Sequence, residues 1–135
     1  MATHMGMCPY KIRRYDQGMV AASRGIGSGA GSSGDVIVFF GANMRVTVFI
    51  HESAHSLDRG SSASNAWHQA VSKDSCVPDV YADTSYAECF AQVAVIWTYL
   101  VGTGRSKNFG GSQFVCMKHQ LEFMAKILPA HELFN

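Results

Sequence analysis

The chain has 135 residues, of which 47% are hydrophobic and 16% are charged, so it has enough apolar material for one compact domain and too little charge for a disordered chain. Its formal net charge of +1 gives no overall field for nucleic acid, which argues against nucleic-acid binding as the main role. The longest apolar stretch, residues 89–101, is shorter than the ~20 residues that a membrane-spanning helix needs.

The order of predicted elements indicates a helix-rich α+β domain with a small strand element. Residues 1–34 show little periodicity and end in a Gly- and Ser-rich stretch over 23–34, which predicts an N-terminal arm followed by a flexible loop. Residues 35–135 are predicted to form the main domain. Within it, Val36–Phe40 is β-branched and aromatic and lies between two glycines, which predicts a buried strand.

Four helices are predicted after this strand, most of them preceded by a residue that can cap them. Apolar residues recur along them at the spacing of three or four that one buried helix face requires. The predicted spans are residues 44–57 after Asn43, a short helix to Val71 after Ser64 or Asn65, a long apolar helix to Val101 after Thr84 or Ser85, and residues 112–128.

The motif that points most directly to chemistry is His51-Glu52-Ser53-Ala54-His55. On a helix, residues four apart lie on one face, so both imidazoles can bind one metal ion. Glu52 would lie beside a metal-bound water and could take its proton as a general base. The alternative is a helix with two surface histidines, but the preceding residues 46–50 are apolar and predict a buried helix. The motif therefore predicts one Zn²⁺ per chain.

A zinc site of this kind needs a third protein ligand, with water in the fourth position. Glu88 is the better candidate, because it stands almost alone in an apolar segment at the start of a helix and a buried carboxylate needs a charged partner. The alternative for Glu88 is a favourable interaction with the helix dipole. Asp58 lies on the same face as His51 but a turn beyond His55, so we expect it at the helix end rather than on the metal.

These residues resemble the zincin metallopeptidases of the gluzincin kind, and most nearly the catalytic domain of anthrax lethal factor. The resemblance implies a zincin-like metallopeptidase core, with zinc held by His51, His55 and Glu88. It also implies hydrolysis of peptide bonds, with Glu52 as the base and Tyr81 as a donor to the oxyanion. The matching positions are the His-Glu-x-x-His motif, Asp58 after it, Tyr81 seven residues before Glu88, and Phe90 with Ala91 after that glutamate.

One position departs from that pattern, because Gln92 stands where the family has a second acidic residue. A carboxylate there would orient a histidine and raise its basicity, whereas Gln can orient it but adds no charge. Asp58 is the candidate to take over this task. The segment 74–82 also resembles small secreted fungal proteins associated with conidiation, which carry the same zincin core.

The four cysteines, in a small chain, are compatible with two disulfides and an oxidising compartment, or alternatively with buried free thiols. Of the three possible pairings we prefer Cys8 with Cys76 and Cys89 with Cys116, because the last two lie on helices that must pack together. We expect a secreted protein whose leader is missing from this sequence, since residues 1–20 contain no signal-peptide-like apolar run.

The resulting hypothesis is a zinc-dependent metallopeptidase that acts on a peptide or protein substrate, without nucleic-acid partners or a membrane span. An alternative from a different class is a secreted zinc-binding protein with the same fold and no peptidase activity. A third is a helical domain that binds no metal.

Overall fold

The structure, a computed structural model, describes residues 2–22, 29–41 and 45–135. It is α+β, as predicted, with a small sheet beside a larger group of helices. The strands are β1 (Gly18–Ala22), β2 (Gly29–Ser33) and β3 (Val36–Phe40). The helices are α1 (Ala2–Met7), α2 (Tyr10–Arg13), α3 (Val46–Asp58), α4 (Asn65–Lys73), α5 (Tyr86–Gly102), α6 (Lys118–Ile127) and α7 (Ala130–Leu133). Residues 23–28 of the predicted loop and the predicted cap Asn43 lie outside the described residues.

The sheet has the order β1-β3-β2, with β1 parallel and β2 antiparallel to the central strand β3. The strand predicted at Val36–Phe40 is confirmed as β3. Its side chains alternate, and Ile37 and Phe39 are buried. Phe39 stacks on Phe49 of α3 with ring centroids 4.2 Å apart, so this face of the sheet packs on the helix that carries the histidine motif.

Residues on both sides of the predicted boundary at residue 34 share one sheet and one core. β1 and β2 precede this boundary and pair with β3, which follows it. Met5, Cys8 and Ile12 of the predicted arm are buried in the main core. Gly and Ser have weak strand preferences, so composition predicted a loop where β2 lies, but pairing with β3 satisfies their backbone groups.

Helices α3 and α5 pack against each other at the centre of the molecule. Both helices contribute large side chains to the core, such as Phe49, Phe90 and Trp97. None of the described helices is both long and apolar enough to cross a membrane. The pairing of α3 with α5 matters for the site, because it brings the histidine motif opposite the first two turns of α5.

Hydrogen bonds to side chains fix the starts of α4, α5 and α6. Ser64 Oγ accepts from the Trp67 N–H of α4 at 3.2 Å, and Ser85 Oγ accepts from the Glu88 N–H of α5 at 3.1 Å. The last predicted helix, 112–128, is instead a 3₁₀ helix over Gly111–Met117 followed by α6. The side chain of Asp74 accepts hydrogen bonds from two backbone N–H groups in the first turn of α6, which fixes where that helix begins.

The predicted cysteine pairing is wrong, because the disulfide joins Cys76 to Cys116, whereas Cys8 and Cys89 are free and buried. The segment that carries Cys76 is held against the chain just before α6, since the Cys76 N–H donates to the Cys116 carbonyl at 3.3 Å. Cys8 lies in the core instead, and it is 1% exposed. Burial raises the pKa of both free thiols to about 12, which makes them poor nucleophiles.

Candidate metal centre

The site lies between α3 and the start of α5. His51 and His55 are four residues apart on α3, and both project toward α5. Glu88, in the first turn of α5, reaches back toward them. The side chains of these three residues are between 10% and 23% exposed, so the site is largely shielded but remains accessible from one side.

Three atoms that can ligate a metal converge within this site. The two Nε2 atoms of His51 and His55 are 3.2 Å apart. The Glu88 Oε2 atom is 2.9 Å from the first and 3.3 Å from the second. In a tetrahedral zinc site with bonds of about 2.0–2.1 Å, ligand atoms are about 3.3–3.4 Å apart. The observed triangle is close to one face of that tetrahedron.

The hydrogen bonds around His51 show which of its nitrogens is available to a metal. Gln92 Nε2 donates to the carboxylate of Asp79 at 2.7 Å, which leaves Gln92 Oε1 facing His51 Nδ1 at 3.2 Å. An amide oxygen only accepts, so Nδ1 carries the proton and Nε2 of the neutral ring presents a lone pair. That lone pair faces a Glu88 oxygen, which is also an acceptor. Two acceptors this close require a proton or a cation between them, so the donor set fits a metal ion.

Burial lowers the pKa of the second histidine, His55, and the nearby His51 lowers it further, despite the opposing effects of Glu88 and Asp58. A lowered pKa keeps this imidazole neutral at physiological pH. Metal ligation requires the neutral ring, so the environment of His55 favours the form that binds zinc.

Glu52 lies beside the three converging atoms rather than among them. It is 6% exposed, and its Oε2 atom is buried without a hydrogen-bond partner among the described residues. Burial raises its pKa, the charge of Glu88 adds to this rise, and His51 opposes it. Glu52 and His51 both line a cleft of about 320 Å³. The cleft is lined by Ala30, Thr47, Val48, His51, Glu52, Tyr81 and Gln92.

Tyr81 also lines this cleft. Its ring centroid is 5.8 Å from that of His51, and the residue is 51% exposed. Burial raises the pKa of its hydroxyl, and the negative charge of Glu88 raises it further. The structure therefore brings all five predicted site residues to one place: His51, Glu52, His55, Tyr81 and Glu88.

The comparisons with known proteins agree on one family. The family model described as Con-13, conidiation-specific protein Con-13, matches residues 1–130. The chain belongs to this family. A curated relative, "Conidiation-specific protein 13" of Neurospora crassa, is 37% identical over 134 residues, which cover 90% of this chain and 38% of the relative. The chain thus spans about two fifths of the length of that relative. No solved structure matches the chain.

Membership of the Con-13 family overturns the assignment to the gluzincin metallopeptidases, which was wrong. The description of the chain as a hydrolase or metalloprotease rested on that assignment and is not supported by the family match. The physical reason is that the spacing His51-x-x-x-His55 specifies how two imidazoles can meet on a helix, which many unrelated folds can provide. The motif therefore predicts a local geometry, and it does not by itself establish descent from a peptidase.

Asp58 does not take part in the site. Its carboxylate accepts hydrogen bonds from the Ser62 N–H at 2.6 Å and from the Ser62 hydroxyl, which holds the turn that follows α3. The expectation that Asp58 compensates for Gln92 is therefore wrong. Gln92 and Asp79 lie in this position instead: Gln92 contacts His51, and Asp79 contacts Gln92. Sequence reasoning missed Asp79, because it lies in an irregular loop with no fixed spacing to the motif.

Proposed function

We propose that this chain is a zinc-binding protein of the Con-13 family that holds one Zn²⁺ through His51, His55 and Glu88. The observation that carries the proposal is the convergence of two imidazole nitrogens and one carboxylate oxygen within 3.3 Å of one another. Water would complete the tetrahedron on the side of the cleft. Such an ion would join α3 to α5, so zinc would also stabilise the folded chain.

Calorimetric titration of chelator-treated protein with Zn²⁺ tests this proposal. We expect one ion per wild-type chain and a melting temperature that rises with zinc concentration. His55→Ala and Glu88→Gln should each weaken binding by more than about 100-fold, beyond the loss expected from residues that only support a ligand. His131→Ala is the matched control, because this imidazole is 81% exposed and lies outside the site. Absence of binding to the wild type, or equal binding by all variants, would refute the proposal.

A second candidate function is peptide hydrolysis, and the position of Glu52 favours it. A buried carboxylate with a free oxygen beside a zinc-bound water is suited to accept a proton from that water. The Tyr81 hydroxyl, in the same cleft, would then donate to the oxyanion. Zinc binding remains the function we propose first, because the converging ligand atoms support it directly.

Digestion of a broad peptide library by the zinc-loaded protein separates these two functions. If the chain is a peptidase, Glu52→Gln should keep zinc and abolish cleavage, and Tyr81→Phe should lower kcat by a factor of roughly 100 to 1,000 while zinc affinity stays unchanged. If the wild type binds zinc and cleaves nothing, the hydrolytic candidate is rejected and the zinc-binding function stands.

We also propose that the protein works in an oxidising compartment, as a secreted protein does. The Cys76–Cys116 disulfide supports this, because such bonds persist mainly outside the cytosol. Peptide mapping without reductant, on protein isolated from the producing cells and from their medium, tests the location. Protein found only inside the cells, with both of these thiols free, would contradict it.

A further inference from the structure

A chain of hydrogen bonds links the zinc site to the loop before α5. His51 Nδ1 lies 3.2 Å from Gln92 Oε1, and Gln92 Nε2 donates to Asp79 Oδ2 at 2.7 Å. The other oxygen of the same carboxylate, Asp79 Oδ1, accepts from the Ala82 backbone N–H at 2.8 Å. Asp79 is exposed, but this backbone contact fixes the direction in which its second oxygen points.

The direction of the Gln92 amide decides the protonation of His51. A carboxylate only accepts, so the end of Gln92 that faces Asp79 must be the NH₂ group. The amide oxygen then faces His51 and requires a proton on Nδ1. The neutral ring is left with its lone pair on Nε2, the atom that faces His55 and Glu88. If the NH₂ group of Gln92 faced His51 instead, it would donate to Nδ1 of His51. The proton of the neutral ring would then lie on Nε2 and would block metal binding.

From this geometry we propose that Asp79 is a positioning residue, which acts through Gln92 to hold His51 in the tautomer that binds zinc. The inference rests on the proposed zinc function, and it assigns to two successive hydrogen bonds, through Gln92 to Asp79, the task that a carboxylate on the histidine performs in many zinc sites. Asp79 itself does not touch the ligand atoms.

Asp79→Asn tests this inference with little change in shape. The side-chain oxygen of Asn at position 79 can still accept the hydrogen bond from the Ala82 N–H, so the NH₂ group of this Asn faces Gln92. The Gln92 amide must then rotate so that its oxygen faces position 79 and its NH₂ group faces His51. We expect zinc affinity to fall by about 10- to 100-fold, the usual effect of losing a group that supports a ligand. The melting temperature of the metal-free protein should stay close to that of the wild type. Asp83→Asn, an exposed change in the same turn, is the matched control and should leave affinity unchanged.

A second substitution restores the hydrogen-bond pattern. In the Asp79→Asn background, Gln92→Glu supplies a carboxylate that accepts from both neighbours, so His51 Nδ1 again carries the proton. Zinc affinity of this double variant should return to near the wild-type value. ¹⁵N NMR of the metal-free protein near pH 8 reports the tautomer directly, and we expect protonated Nδ1 in the wild type and protonated Nε2 in Asp79→Asn.

The outcomes separate this inference from the zinc proposal. A wild type that binds no zinc refutes the proposed function, whereas the NMR experiment still reports whether Asp79 sets the tautomer. Wild-type zinc affinity in Asp79→Asn would overturn the inference alone. Weakened binding with an unchanged tautomer, or without recovery in the double variant, would show that Asp79 only supports the loop and would overturn it as well.

Discussion

Two shielded carboxylates, Asp74 and Glu88, have opposite surroundings. Asp74 is 2% exposed in its side chain and accepts four hydrogen bonds, two from backbone N–H groups and two from the side chains of His119 and Gln120. Glu88 is 23% exposed in its side chain, and its Oε2 atom faces the Nε2 atoms of His51 and His55. One carboxylate is therefore surrounded by donors, and the other by groups that in their neutral form present lone pairs.

This difference indicates a different role for each carboxylate. A buried carboxylate whose oxygens are satisfied by donors stabilises the fold and has no capacity left for a ligand. A carboxylate that shares its space with imidazole lone pairs is stabilised only when a cation or a proton joins the cluster. We therefore interpret Asp74 as a structural group, and the surroundings of Glu88 support the role of ligand that we propose for it. Variants at each site and at its neighbours should separate stability from metal binding.

The largest loss of stability is expected from removal of the disulfide beside Asp74. Cys76→Ser with Cys116→Ser opens a loop with a sequence separation of 40 residues, which should lower the free energy of unfolding by about 4 kcal/mol. Zinc affinity should not change, because neither residue lies in the cleft. Chemical denaturation and zinc titration of the same preparation measure both quantities. Parallel losses of stability and zinc affinity would show that the two regions are not independent.

Asp74→Asn should have the next largest effect on stability. The amide NH₂ group can accept no hydrogen bond, so at least one donor in the first turn of α6 loses its partner. We expect a loss of about 2 kcal/mol, with zinc binding as in the wild type. Urea unfolding of the metal-free protein measures this loss. A variant as stable as the wild type would show that the donors around Asp74 contribute little.

Asp16 is intermediate between Asp74 and Glu88, because within the described part of the chain only one of its two oxygens has a donor. Its contribution to the free energy of unfolding should depend on pH. Asp16 Oδ2 accepts from the Ser53 hydroxyl at 2.6 Å, whereas Oδ1 is buried without a partner among the described residues. Burial raises the pKa of Asp16 above its ordinary value of 3.8, and so does the charge of Asp35. The folded chain then binds the proton more tightly than the unfolded chain, so stability is lost as pH rises through the folded pKa.

Asp16→Asn removes this titration and can keep an acceptor for Ser53. Relative to the wild type, the variant should therefore gain stability as pH rises from about 4 to 7. Melting temperatures of both proteins across this range test the prediction. A difference that is constant with pH would mean that Asp16 has an ordinary pKa in the folded chain.

The smallest change in stability is expected for Glu88→Gln in the metal-free protein. Without zinc its carboxylate faces imidazole lone pairs rather than fixed donors, so we expect the substitution to lower the free energy of unfolding by no more than about 0.5 kcal/mol. The same variant should lose zinc binding. A large loss of stability without metal would place Glu88 in the same structural class as Asp74.

The candidate site could be predicted from the sequence because its chemistry is encoded locally. The spacing of His51 and His55 fixes their common face on one helix, and Glu88 is conspicuous as a lone charge in an apolar segment. For the same reason the starts of α4 and α5 were predictable to within one residue. Ser64 or Asn65 and Thr84 or Ser85 were the candidate caps, and the side chains of Ser64 and Ser85 cap these helices.

Contacts between distant segments could not be predicted in this way. Asp74 is held by residues 45 and 46 positions away, and Asp79 contacts Gln92 across 13 positions, without any pattern that links them. Strand β2 is built from Gly, Ala and Ser, so only its pairing with β3 makes it a strand. The disulfide pairing likewise depends on which loop meets α6, and not on the spacing of the cysteines.

X-ray absorption at the zinc K-edge, on protein loaded with one equivalent of Zn²⁺, tests the central claim most directly. If His51, His55 and Glu88 hold the ion, the spectrum should show four nitrogen or oxygen neighbours at about 2.0–2.1 Å, with the multiple-scattering signature of two imidazoles. A sulfur neighbour at about 2.3 Å, a shell of water oxygens without imidazole, or no retained zinc would contradict it.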